Sequence, residues 1–154
     1  MVAIFDFLSA SGMGAVFSPA FNHVVDAFPS LSISIENPNE CSRYIAGVVE
    51  NIKVQDSPKW LKDRLESIGQ RSINNIVDIS NYVMMEMGQP THIFDFNKIG
   101  SDKILVRKSL AGEEITTLDE IKREMSGDEL LITNGKKPIA LAGVMGGLNS
   151  AVTK

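Results

Sequence analysis

One cysteine, Cys41, and two histidines, His23 and His92, are too few to build a disulfide framework or a metal-ligand cluster. A lone thiol suits a reducing compartment, so a cytoplasmic setting is expected. Basic residues are in deficit, 15 against 19 acidic, which leaves a net charge of −4 and no global positive field to draw in nucleic acid. Any RNA contact would have to be local or supplied by a partner. No lysine or arginine precedes Arg43, so the apolar start MVAIFDFLSASGMGAVFSPAF lacks the positive flank of a signal peptide. Asp6, Gly12, Gly14 and Pro19 interrupt it, so no membrane span is expected there. The phosphate loop GxxxxGK[ST], the dinucleotide fingerprint GxGxxG and the hydrolase elbow GxSxG are all missing.

The 154 residues are 44% hydrophobic and 22% charged, the balance of a folded globular chain rather than a disordered one. That length allows one domain, or one domain plus a tail, with about two thirds of the unfolded surface buried. Residues 1–30 read as a segment of unclear origin, with a short amphipathic helix after Ser18–Pro19 that carries Phe21, Val24, Val25 and Phe28. His23 falls inside this helix, where a surface or packing role is expected.

From Leu31 the texture changes. Leu31, Ile33 and Ile35 alternate with serines, as a half-buried strand does, and Tyr44–Ile52 is a second strand. Ser57–Pro58 starts a helix whose apolar face is Trp60, Leu61, Leu65 and Ile68, and Gly69 ends it. A second helix spans Asn74–Met87, capped by Ser72 and stopped by Gly88 and Pro90. Its apolar stripe is Ile76, Val83 and Met87, flanked by Val77 and Met84. Short strands follow at Ile104–Val106, Glu114–Thr117, Leu130–Thr133 and Ile139–Ala142. Strands, then helices, then strands predict an α+β fold of layered mixed or antiparallel sheets with flanking helices.

Two places carry candidate chemistry. Asn81 interrupts the apolar stripe between Val77 and Met84, and His92 sits just past the helix stop, so both could converge on one pocket. The run ALAGVMGG at Ala140–Gly147 ends in paired glycines, which let a ligand approach the backbone closely. By itself that run reads more readily as a plain turn, and a histidine after a helix as a cap for its last carbonyls.

Taken together, NNIVDISNYVMMEMGQPTHIFDFNKI, the later TLD and DELLI, and PIALAGVMGGLNSAV closely resemble the editing domain in the β chain of bacterial-type phenylalanyl-tRNA synthetase. The upstream CSRYIAGVVENIKVQDSPKWLKDRLESIGQRSINN is similar to the same domain. The resemblance runs from about Leu31 to Val152, so residues 31–154 read as a partial tRNA-editing domain. It implies an ester hydrolase site within an enzyme that joins phenylalanine to its tRNA. That enzyme works with an α chain in a heterotetramer and uses ATP and magnesium at a ligase site outside this segment; no cofactor is implied here. The need for editing is physical, since an apolar pocket rejects the extra hydroxyl of tyrosine only about a hundredfold.

On that resemblance Asn81 holds the polar end of the amino acid, and His92 orients the ester or the attacking water without having to be a general base. Gly146 and Gly147 let the backbone line the tyrosine pocket. The aminoacylated end of tRNA(Phe) is the implied partner. The family's domain continues with a glutamate and a threonine that no residue here matches, and Glu120 stands where its T-L-D-G turn has glycine. A fragment is therefore expected, with an unpaired strand edge that favours dimerisation, segment exchange or marginal stability. A noncatalytic module binding tRNA or a partner is the alternative reading.

Overall fold

The structure is a computed structural model that describes the main chain of residues 3–9 and, in full, residues 31–88 and 90–153. The short helix expected after Ser18–Pro19 lies outside the described residues.

Alternation builds the largest sheet. Strand β5, Lys103–Lys108, buries Ile104 and Val106 while Lys103 is exposed. It pairs in parallel with β2, Ser32–Ile35, and antiparallel with β8, Leu130–Thr133. Strand β9, Pro138–Leu141, continues from β8, and β10, Met145–Gly146, closes the order β10-β9-β8-β5-β2. As the edge strand, β2 leaves Ile33 exposed, so the predicted half-buried alternation there is only partly realised. Parallel pairing of β2 with β5 demands a long crossover, and the helices lie within it.

A second sheet contains β3, Arg43–Val49, and β4, His92–Asp95, with β1, Ala3–Ser9, lying antiparallel between them. The predicted strand Tyr44–Ile52 stops at Val49, and Asn51 adopts a left-handed φ of 58° that ends extended pairing. Tyr44, Ala46 and Val48 of β3 and Phe94 of β4 share one buried cluster with Ile104, Val106, Ile132 and Ile139 of the larger sheet. The main core therefore joins the two sheets. A two-stranded ribbon, β6 (Glu114–Thr116) with β7 (Lys122–Glu124), completes the α+β architecture. Its turn carries Glu120 at a φ of 64°, the region glycine favours, and is closed by the Arg123–Asp119 ion pair at 2.7 Å.

Helix α1, Lys59–Ser67, buries Leu61 and Leu65 and starts one residue later than a Ser57 cap with Pro58 in the first turn predicts: Pro58 itself takes the cap position, no side chain caps the helix, and the Ser57 hydroxyl is drawn to Asp78. Trp60 and Ile68, assigned to its apolar face, are instead exposed by more than half. Helix α2, Asn75–Met87, starts on Asn74, whose Oδ1 accepts from the N–H groups of Ile76 and Val77 at 3.1 and 3.0 Å. The predicted cap, Ser72, donates instead to Asp78 at 2.6 Å. Asp78 is fully buried and also accepts from Ser57 Oγ at 2.5 Å and the Ile73 N–H at 2.8 Å. The first half of the helix buries Ile76, Asp78 and Ser80, whereas further along the predicted stripe, on the same side as Ile76, Val83 and Met87 are exposed. Gly88 terminates α2 in the left-handed region, as predicted. Asp95 caps the short α3, Phe96–Ile99, by accepting from the Asn97 N–H at 3.1 Å. No helix among the described residues is long and apolar enough to cross a membrane.

Candidate functional site

Local chemistry brings His92 to its place. Gly88 stops α2, Pro90 has no N–H with which to resume it, and two residues later β4 opens on His92. Buried Ser80 lies 2.7 Å, hydroxyl to hydroxyl, from Thr91, so the helix grips the residue immediately before the histidine. The His92 ring meets the edge of Phe94 at a centroid distance of 4.5 Å and an angle of 71°.

The glycine run arrives from the other sheet. Strand β9 leads to Gly143, at a φ of 70°, and the chain reverses into β10, where Gly146 pairs with Ala140. Gly146 lies directly against the imidazole: a Cβ built there would land on His92 Cε1 and Nε2. Only a residue without a side chain permits that approach. Gly147 serves differently. Its N–H donates to the Ile139 carbonyl at 2.7 Å, and a Cβ there would meet that same oxygen at 2.6 Å.

Around this contact is a pocket of about 290 Å³. His92, Thr91, Met84 and Pro90 line one side, and Ala140, Leu141, Met145 and Gly146 line the other, so it is apolar except at His92 and Thr91. His92 and Gly146, assigned from sequence, thus meet in one concavity. Asn81 does not line it; the half-buried Asn81 stands one turn before Met84 on the same face of α2. Gly147 also lies outside the lining. Met84, which flanks the predicted apolar stripe, is a wall of the pocket, and so is Thr91, whose one sequence signal is its place in GQPTH. A larger concavity of about 390 Å³ between β6 and Lys136–Pro138 holds none of the assigned residues, and its Glu113 is already committed to Arg107 at 2.7 Å. We place the site at the smaller pocket because the chemically unusual groups converge there.

Burial pushes the His92 imidazole down to about 4 from its ordinary 6.5, and its Nε2 is sealed from solvent. At neutral pH the ring is uncharged, with one nitrogen that donates and one that accepts, so it suits orienting a polar group better than taking a proton. Because the folded value lies below the unfolded one, stability tied to the neutral ring is complete above about 6.5 and is lost as pH falls toward about 4. The urea midpoint is expected to drop across that interval, and His92→Gln to remove that part of the slope. An identical slope in the variant would assign the acid sensitivity to other groups. Cys41, fully buried with its thiol pKa raised by burial, is poorly suited as a nucleophile.

The B3/4 domain family model matches residues 40–154. This chain belongs to the B3/4 domain family. Its matched segment contains β3, both long helices and every residue assigned to the site. The chain is 52% identical over 122 residues to the phenylalanine–tRNA ligase β subunit of Carboxydothermus hydrogenoformans, covering 79% of this chain and 15% of that protein. It is 52% identical over 129 residues to the β subunit of Dehalococcoides mccartyi strain 195, covering 84% and 16%. Against the β subunit of Geobacillus kaustophilus identity is 47% over 122 residues, covering 79% and 15%. This B3/4 segment therefore spans about 15% of the length of the curated relatives it matches.

Proposed function

We propose that this B3/4 segment carries part of the editing site of a phenylalanine–tRNA ligase β subunit, where tyrosine wrongly joined to tRNA(Phe) is hydrolysed from it. The observation that carries the reading is the contact of a bare Gly146 with a neutral, half-buried His92 at the wall of a mostly apolar pocket. An aromatic side chain fits such walls, and the ester would lie toward His92 and Thr91.

In the reaction, water forms a bond to the ester carbonyl carbon and the bond to the ribose oxygen breaks. Tyrosine leaves as its carboxylate, and the ribose oxygen takes a proton. His92 positions the water or the carbonyl by hydrogen bonding, which is compatible with its low pKa. Asn81, one turn behind the pocket wall, would reach the amino acid's polar end from the helix. Ligation with ATP and magnesium, and pairing with an α chain, belong in this reading to the rest of the enzyme.

The test is deacylation of tyrosyl-tRNA(Phe) by the chain alone and by the chain mixed with the relatives' downstream segment. His92→Ala is expected to slow hydrolysis by roughly a hundredfold, the scale of a lost orienting contact. Equal rates in wild type and variant would reject the assignment. Binding of the tRNA end without any hydrolysis, by a cooperatively folded chain in both mixtures, would favour a noncatalytic binding module.

A further inference from the structure

Strands β3 and β4 do not pair with each other; β1 stands between them and is the neighbour that holds both in one sheet. Its register with β3 is complete, from Ala3 opposite Val49 to Ser9 opposite Arg43. Its register with β4 runs from Ala3 opposite Asp95 to Asp6 opposite His92. Both flanking strands lie within the family-matched residues 40–154, whereas β1 lies outside them. The B3/4 segment thus contains a slot of the width of one strand, and a segment foreign to the match fills it.

The slot has clear demands. The facing edges of β3 and β4 present rows of main-chain donors and acceptors that need partners. Tyr44, Ala46 and Val48 on one side and Phe94 on the other already belong to the core, so the two edges are held at a fixed spacing by packing. An extended segment that hydrogen-bonds on both sides fits, in the manner of strand addition to a sheet. Filling it ties down the main chain at His92, the first residue of β4.

We propose that the slot between β3 and β4 is a strand-accepting site, that residues 3–9 occupy it as an exchangeable strand, and that its occupancy positions His92. The positioning acts through the backbone of β4 and does not depend on which ester the pocket takes.

Phe5→Pro in the full chain removes one central N–H of β1 and restricts its backbone. Hydrogen exchange over 43–49 and 92–95 is expected to accelerate at least about tenfold, while 104–106 and 130–133 keep their protection. The titration midpoint of the His92 ring, followed by NMR, is expected to move up toward its ordinary value. A synthetic peptide with the sequence of residues 3–9 is expected to reverse both changes. Unchanged exchange over 43–49 and 92–95, or a loss that the peptide leaves unreversed while the larger sheet stays protected, overturns the proposal. Should the variant lose protection everywhere, the same peptide carrying a photo-crosslinker is incubated with the wild-type chain. Label on 43–49 then supports an exchangeable strand, and absence of label there overturns it.

Discussion

On the proposed editing function, Gly146→Ala is expected to abolish most ester hydrolysis while leaving a folded protein. The added methyl would occupy the positions of His92 Cε1 and Nε2, so the two groups cannot coexist as they stand. Gly146 itself is held by pairing with Ala140 and by its carbonyl accepting the Leu118 N–H at 3.0 Å, so the backbone resists moving back. The imidazole can rotate, and the open direction is the pocket it lines. The ring would then stand in the space that the proposed function gives to substrate, so the proposed orienting group and the cavity would be lost together. Overpacking of this kind costs about 1–3 kcal/mol, survivable for a domain of this size. The loss of hydrolysis should match or exceed that of His92→Ala, on the order of a hundredfold to a thousandfold. A second signature follows from the displaced ring: in more solvent its pKa should rise from about 4 toward the ordinary 6.5. Deacylation rates and an NMR titration of the variant check both. Wild-type hydrolysis by Gly146→Ala would show that the close contact has no part in the chemistry.

Asp78→Ala is expected to cause the largest loss of stability from a single side chain outside the apolar core. The carboxylate is fully buried and receives hydrogen bonds from Ser57 Oγ, Ser72 Oγ and the Ile73 N–H. It thereby ties the start of α1 and the loop before α2 to the body of α2. Truncation leaves these donors without their acceptor, and buried orphans cost about 1–3 kcal/mol each. Water entering the cavity can recover part of that, so a total of about 4 kcal/mol is expected. For a chain of this length the corresponding fall in Tm is roughly 10–15 °C. Asp78→Asn keeps the shape and one acceptor oxygen, so its loss should lie between wild type and alanine. Urea unfolding followed by circular dichroism distinguishes these outcomes; a change below about 1 kcal/mol in the alanine variant would show that the donors find other partners. Because α2 also supplies Ser80 and Met84 to the site, the same variant should weaken hydrolysis wherever α2 is loosened.

Much of the architecture was legible because its signals are local. Gly88 and Pro90 end a helix wherever they occur, and the alternation at Lys103–Lys108 specifies a strand with one buried face. The GQPTH turn and the ALAGVMGG run marked the segments that meet in the pocket. Other features escaped for physical reasons. The apolar periodicity of α2 is buried at Ile76 but exposed at Val83 and Met87, and the start of the helix is also held by a buried carboxylate with three donors, which periodicity does not show. Ser72 and Asn74 are both good caps by type, and only the position of Asp78 decides that Ser72 is drawn away from capping. Likewise Met84 reads as core by composition and becomes a pocket wall because residues of β9, β10 and the turn between them line the same concavity.

The sequence by itself determined where the helices stop, which strands alternate, and the family to which residues 40–154 belong, because caps, turns and periodicity act over a few neighbouring residues. Tertiary structure alone decided that Gly146 touches His92, that the imidazole stays neutral, and that residues 3–9 bridge β3 and β4. Each of these depends on groups distant in the chain being pressed together by the shared core, and burial, close approach and strand pairing between them have no local code.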